Sequence, residues 1–307
     1  MKQLLFIIVI ATSCNTASDN EMDTVIEEPV TDVTEQEVYS IELSRAIPID
    51  GITLKDGVIY ASSGFSGSAV YSIDPENGEV SEIVSSIPAP ITTIKAADGK
   101  LYSTTYTQEE QLYVTNPDNG DVSRFGSITD GSAGLVQDSE GNFFVSIYGP
   151  YQNENNKIYK ITSSGESEVY IEGNGIFAPI GLAIDENDNL FIANTTSGRI
   201  YKVSKEKEIT LFATLGSSDG YYATGHLAYY SGKIYASGNH HNKVFVVDAD
   251  GVVSTLAGTG VAGFKDGDKE VAQFNVPNGI AVSEDGKRLY VLDGGQSTRR
   301  RLRVIKL

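Results

Sequence analysis

From about residue 38 onward, short apolar runs alternate with short polar turns, and the runs come in recognisable sets. Residues 277–293, PNGIAVSEDGKRLYVLD, show one set: an apolar strand, a Gly-containing turn, and a second strand in which Leu289, Tyr290 and Val291 place an aromatic between two aliphatics. That second strand recurs as VIYASSG, KLYSTTY, NFFVSIY, NLFIANT, KIYASGN and RLYVLDG, filling one aromatic slot with Tyr60, Tyr102, Phe144, Phe191, Tyr235 and Tyr290. A third strand follows each, with Tyr71, Tyr113, Tyr159, Tyr201 and Phe245 again holding one slot; the sixth copy has Arg303 there. The first five copies carry a fourth strand (EVSEIVSS, DVSRFGSI, SEVYIEG, EITLFAT, VVSTLAG), whereas the sixth has only RLRVIKL. Four strands per unit, repeated about every 40 to 50 residues, predict the blades of a β-propeller.

The turns agree with that count. ENGE at 76–79, ADGK at 97–100, DNGD at 118–121 and EDGK at 284–287 are hairpin signals, because Gly, Asn and Asp tolerate the positive φ of tight turns. Strands such as FFVSI and KVFVVD are almost continuously apolar, as expected where neighbouring blades cover both faces. The sixth unit lacks an outer strand, and the segment about 38–44 is a surplus one. Pairing the two closes the ring without an open edge, so this segment is expected to complete the last blade.

Composition narrows the function classes. With no Trp, the large apolar surface of the 307 residues comes from 17 Tyr and 11 Phe. The formal net charge of −18 opposes binding to nucleic acid and to anionic lipid surfaces. A single cysteine, Cys14, excludes intramolecular disulfides and multi-thiolate metal sites.

The N-terminal stretch MKQLLFIIVIATSC has a Lys followed by an apolar run from Leu4 to Ala11, too short for a permanent span, and reads as a signal peptide. Ala11, Thr12, Ser13 and Cys14 resemble the lipobox of bacterial lipoproteins, with Ala11 standing where Leu is commonest. The resemblance implies that residues 1–13 are removed and that Cys14 is lipidated. Asn15 after the cysteine does not resemble an inner-membrane retention signal, so the implied address is the outer membrane or cell surface. Residues 14–37 carry many acidic groups and, from 15 on, no Lys or Arg, which is expected of an extended disordered tether. The propeller is then expected over 38–307.

Residues 258–293 and 179–203 resemble NHL repeats, and the other copies are similar in style to the six-bladed propellers that include gluconolactonases and regucalcin. The resemblance implies an all-β, six-bladed propeller whose channel mouth binds ligands, and it does not by itself imply a reaction. In that geometry the mouth is lined by the loops entering the innermost strands and those between second and third strands. Tyr106, Tyr148, Tyr151, Asn194, His226, Asn239 and His240 are the candidate ligand-binding residues, a set suited to stacking and hydrogen bonding. Gluconolactonases hold a divalent ion at the axis, and Asp50 before Gly51, Asn278 before Gly279, and Asp293 are the positions able to contribute to a Ca²⁺ site of that kind. Two functions follow as expectations. The first is a lipid-anchored extracytoplasmic scaffold that binds a surface protein or small polar ligand. The alternative is a metal-assisted lactone or ester hydrolase, which needs a tight ion and a poised base.

Overall fold

The computed structural model describes residues 36–307 except 49, 109, 130, 150–155, 217–221 and 295–300. By contacts the chain separates into Met1–Asp32 and Val33–Leu307, and the first unit lies outside the described residues, as does Cys14. All regular structure among the described residues is β: strands β1 (Val38–Ile41) to β24 (Arg301–Lys306), arranged as six four-stranded antiparallel sheets. Each of the first five sheets is a run of four consecutive strands. They are β2 to β5 (Ile52–Lys55, Val58–Ser62, Val70–Ile73, Val80–Val84), β6 to β9 (Pro90–Lys95, Leu101–Thr105, Leu112–Thr115, Val122–Phe125), and β10 to β13 (Ser132–Gln137, Phe143–Ile147, Lys157–Ile161, Ser167–Glu172). Next come β14 to β17 (Pro179–Ile184, Leu190–Asn194, Arg199–Val203, Ile209–Thr214) and β18 to β21 (Leu227–Tyr230, Lys233–Gly238, Lys243–Val247, Val253–Ala257). The sixth blade is β22 (Ile280–Val282), β23 (Arg288–Asp293), β24 and then β1. The innermost strands β2, β6, β10, β14, β18 and β22 touch one another in turn, and β22 meets β2. The molecule is therefore a six-bladed β-propeller.

Burial explains the sequence pattern. The second strands β7, β11 and β15 are buried at every position, which is why their sequences lack alternation, whereas the outer strands β9 and β21 are largely exposed. All six aromatics of the second-strand slot are buried between blades. The outer hairpins of blades one, three, four and five each carry a register shift, which sharpens the twist that a blade needs as it fans outward.

Ring closure follows the expected pairing over a shorter span than residues 38–44. Val38 pairs with Ile305 and Ile41 with Leu302. Residues 42–44 then leave the sixth blade to reach the first, where the Ser44 amide donates to the Gly78 carbonyl at 2.9 Å and the Val80 amide donates to Ser44 Oγ at 2.9 Å. Gly78 has φ 74°, and a Cβ there would lie 2.2 Å from the Glu42 carbonyl oxygen, so the crossing requires glycine at this turn. On its other edge β1 meets the long connection between β21 and β22: the Val38 amide donates to Gly267 O at 2.8 Å, and the Gly267 amide returns a bond to Val38 O at 2.9 Å.

The sixth copy's departure from the aromatic slot is a built feature. Arg303 is fully buried, and its guanidinium lies 4.7 Å above the ring of Phe274, itself fully buried and supplied by the long connection. Nη1 donates to Asp293 Oδ2 at 2.9 Å and to Gln273 O at 2.7 Å, while Nη2 donates to Asp266 Oδ1 at 2.8 Å and to Lys265 O at 2.9 Å. Asp266 in turn accepts the Ser40 hydroxyl at 2.9 Å and the Ser40 amide at 3.0 Å. One buried cation thus ties β23, β24, the long connection and the closing strand together.

Candidate functional site

Because every blade's innermost strand begins at the same end of the ring, the residues just before those strands converge on the axis there. Asp50 and His226 come from the entries to blades one and five, Asn278 from the entry to blade six, and Asn239 from the loop after β19. Their side chains form a chain of hydrogen bonds: His226 Nε2 lies 3.1 Å from Asp50 Oδ1, Asn278 Nδ2 donates to Asp50 Oδ1 at 2.8 Å, and Asn239 Nδ2 donates to Asn278 Oδ1 at 3.0 Å. The carboxylate fixes the sense of the chain. Asp50 accepts, so Asn278 must turn its NH₂ inward; its carbonyl then faces Asn239, which must also present NH₂. Asn239 Oδ1 is left as a buried acceptor with no donor among the described residues. Glycine makes the approach possible, since a Cβ on Gly225 would lie 2.5 Å from Asn239 Oδ1, 2.6 Å from Asn278 Oδ1 and 2.7 Å from Ser237 Oγ.

Above this polar group opens a cavity of about 370 Å³ with Asp50, Asn239 and Asn278 on one side and Ile91, Ala133, Ile180 and Phe65 on the other. The apolar side is backed by rings. Phe65 meets Tyr106 edge-on at 4.5 Å between centroids, Tyr106 lies 5.6 Å from Tyr148, and the Tyr148 hydroxyl donates to that of Tyr222 at 3.3 Å. Burial pushes the Tyr148 phenol well above its ordinary pKa, so it remains a donor at any physiological pH. Tyr222 completes the arc with His240, whose ring centroid is 5.9 Å away and whose side chain is exposed. His241 turns from the mouth to pack edge-on against Phe245 at 5.3 Å, and burial lowers its pKa. His226 also lines a second cavity of about 260 Å³ among the innermost strands, so the Asp50–His226 contact separates the mouth from the channel below.

The structure brings Tyr106, Tyr148, His226, Asn239 and His240 to this end of the ring with Asp50 and Asn278. Tyr151 lies outside the described residues. Asn194 is spent on its own surroundings: Oδ1 accepts the Phe177 amide at 3.1 Å and Nδ2 donates to Gly175 O at 2.7 Å, so it fastens the loop before β14 instead of facing a ligand. Asp293 also departs from expectation. Both its oxygens are engaged, Oδ2 by Arg303 and Oδ1 by the Asn275 amide at 2.6 Å, so it does not join Asp50 and Asn278 as a metal ligand. Burial raises the Asp293 carboxyl to about 6, and Arg303 opposes that shift. Asp50 Oδ1 and Asn278 Oδ1 accept hydrogen bonds within the polar chain, and no group of three or more His, Cys, Asp or Glu side chains among the described residues is placed to hold an ion. Tyr222, Ile91 and Ile180 were not singled out from sequence. The two isoleucines occupy ordinary strand positions, and only the curvature of the ring turns them toward the axis.

Comparison with known proteins agrees with this architecture. Residues 51–170 match the model of a repeat of unknown function (DUF6923). A stretch of 67 residues is 45% identical to the protein SUPPRESSOR OF QUENCHING 1, chloroplastic, of Arabidopsis thaliana, covering 22% of this chain and only 6% of that protein's length. Among solved structures, an auxiliary nutrient binding protein from Bacteroides ovatus superposes with a TM-score of 0.71 at 14% identity over 88% of this chain and 76% of its own. A gluconolactonase from Xanthomonas campestris superposes with a TM-score of 0.65 at 14% identity over 90% and 91% of the two chains. A streptogramin B lyase does so with a TM-score of 0.60 at 14% identity over 90% and 100%. At such identities the likeness is one of fold.

Proposed function

We propose that this propeller is a lipid-anchored, extracytoplasmic binding protein that takes a small organic molecule in its channel mouth. The observation that carries the reading is the two-sided cavity: a hydrogen-bonding wall of Asp50, Asn239 and Asn278 faces an apolar wall of Ile91, Ala133, Ile180 and Phe65, in a space of about 370 Å³. Binding pockets for organic ligands combine an apolar lining with a few convergent polar groups in this way, in volumes of roughly 300–1,000 Å³. The similarity in fold to nutrient binding proteins of Bacteroides supports a binding role. The hydrolase alternative has less behind it, since Asp293, one of the three oxygen donors expected to hold its metal, has both oxygens engaged by Arg303 and the Asn275 amide.

Two experiments test the reading. Saturation-transfer NMR of the full chain against a fragment library should yield binders, and these should bind at least about tenfold more weakly to the Phe65→Ala variant, as expected for loss of one well-packed aromatic contact. Binders indifferent to Phe65→Ala and also to Ala133→Phe, which fills the cavity, place the site elsewhere and refute the proposal. For the anchor, Cys14→Ser should abolish metabolic labelling with a radioactive fatty acid and release the protein from membranes; unchanged labelling would remove the lipoprotein reading.

A further inference from the structure

The charged side chains described at the mouth cavity are acidic. Its described lining includes two carboxylates, Asp50 and Asp293, and neither lysine nor arginine. Asp293 is matched by Arg303, with both side chains fully buried, so it presents no net charge to a ligand. Asp50 is matched differently. Its donors are the Asn278 amide and the His226 imidazole, and both bonds fall on Oδ1. Oδ2 accepts no hydrogen bond from the described residues, and Asp50 lines the cavity. The directed Asn239–Asn278–Asp50 chain reinforces the asymmetry, because one N–H of each amide is spent within the chain while Asn239 Oδ1 is left with no donor among the described residues. Asp50 Oδ2 and Asn239 Oδ1 remain there as acceptors without a donor among the described residues.

We propose that the cavity selects an organic ammonium ion, an aliphatic or aromatic amine, whose nitrogen sits on Asp50 Oδ2 and whose apolar body lies against Phe65, Ile91 and Ile180. This rests on the small-ligand reading above and narrows it to a ligand class. A carboxylate in apolar surroundings interacts with a cation more strongly than it would in water, and an ammonium N–H supplies the donor that these oxygens lack. A ligand bearing a carboxylate or phosphate would meet Asp50 with no cation from the described lining to receive it. A neutral ligand of the same shape would keep the apolar contacts and lose the charge-assisted bond.

The test is calorimetric titration of the full chain with three near-isosteric probes: 2-phenylethylamine, 2-phenylethanol and phenylacetate. The amine is expected to bind about 10- to 100-fold more tightly than the alcohol, the range set by one hydrogen bond to a charged group, and phenylacetate should not bind. Asp50→Asn, which keeps the shape and an acceptor oxygen, should weaken amine binding by at least about tenfold and erase the amine's advantage over the alcohol. The three-probe comparison on the unmodified chain stands whether or not that variant folds. Equal affinity for amine and alcohol, or preference for phenylacetate, overturns the proposal and leaves the cavity a binding site. If all three fail while neutral fragments bind in a manner sensitive to Phe65→Ala, the amine assignment falls and the cavity reading survives. If neither probes nor fragments bind, both fall.

Discussion

Replacing Arg303 with methionine tests the closure network where its consequences are largest. The side chain is fully buried, as is that of its partner Asp293, and the substitution strips four hydrogen bonds from the guanidinium at 2.7, 2.8, 2.9 and 2.9 Å. Met is of similar length and keeps the contact with Phe274, so the dominant effect is an unpaired buried carboxylate. Removing one partner of such a pair destabilises by about 3–5 kcal/mol. For a domain of this size that corresponds to a fall in melting temperature of roughly 6–15 °C. The loss should depend on pH in a direction the structure fixes. Asp293 already titrates near 6 in the folded protein because of burial, with Arg303 holding it down, so without Arg303 its folded pKa rises further. A folded pKa above the unfolded carboxylate value of about 3.9 means that the folded chain takes up a proton; the resulting stability is present at low pH and lost as pH rises through the folded value. Arg303→Met should therefore be most damaging above about pH 7 and should recover part of its deficit toward pH 5. Adding Asp293→Asn should restore stability at pH 7.5, because it removes the stranded charge. Urea unfolding followed by circular dichroism at pH 5 and pH 7.5 measures all of this in a protein without tryptophan. A deficit under about 1 kcal/mol, or one identical at the two pH values, would show that Asp293 is not the buried charge on which the reasoning rests.

Three further outcomes follow. A chain beginning at residue 48 should melt well below one beginning at residue 36, by at least about 4 kcal/mol in stability, because Val38 is fully buried and Tyr39, Ile41 and Leu43 pack on the core; equal melting would refute closure by β1. Gly225→Ala should cost about 1–3 kcal/mol and disrupt ligand binding, since its Cβ would stand 2.5 to 2.7 Å from three oxygens of the mouth; normal binding at full stability would mean the Asn239–Asn278 chain is dispensable. Millimolar Ca²⁺ should leave the melting temperature unchanged, whereas a rise that Asp50→Ala abolishes would restore the metal reading.

The blades were legible because their determinants are local. An aromatic flanked by aliphatics, a turn containing Gly, Asn or Asp, and a fixed interval are written into consecutive residues. The closing strand was legible by elimination, as a surplus segment matched to a missing one. Side-chain direction at the mouth was not. Asn194 is the last residue of β15, three beyond the aromatic Phe191, whereas Asn239 follows β19, four beyond Tyr235; Asn194 is captured by the Gly175 carbonyl and the Phe177 amide, and Asn239 reaches the axis. An offset of one residue at a strand end turns a side chain to the other face. Asp293 left a signal that went unused: Arg303 interrupts an otherwise aromatic buried slot, and a cation there demands a buried anion on the adjacent strand, which the register supplies by placing Asp293 opposite Arg301, two residues from Arg303.

The pairing of β1 with β24 also orders events in time. The strand made first finds its partner 267 residues later, counting from Val38 to Ile305. Until that partner is made, β1 has a free edge and the first blade has no neighbour on one side, so the ring gains its cooperativity only once β24 has been made. A chain arrested short of Arg301 should remain a protease-sensitive, association-prone arc.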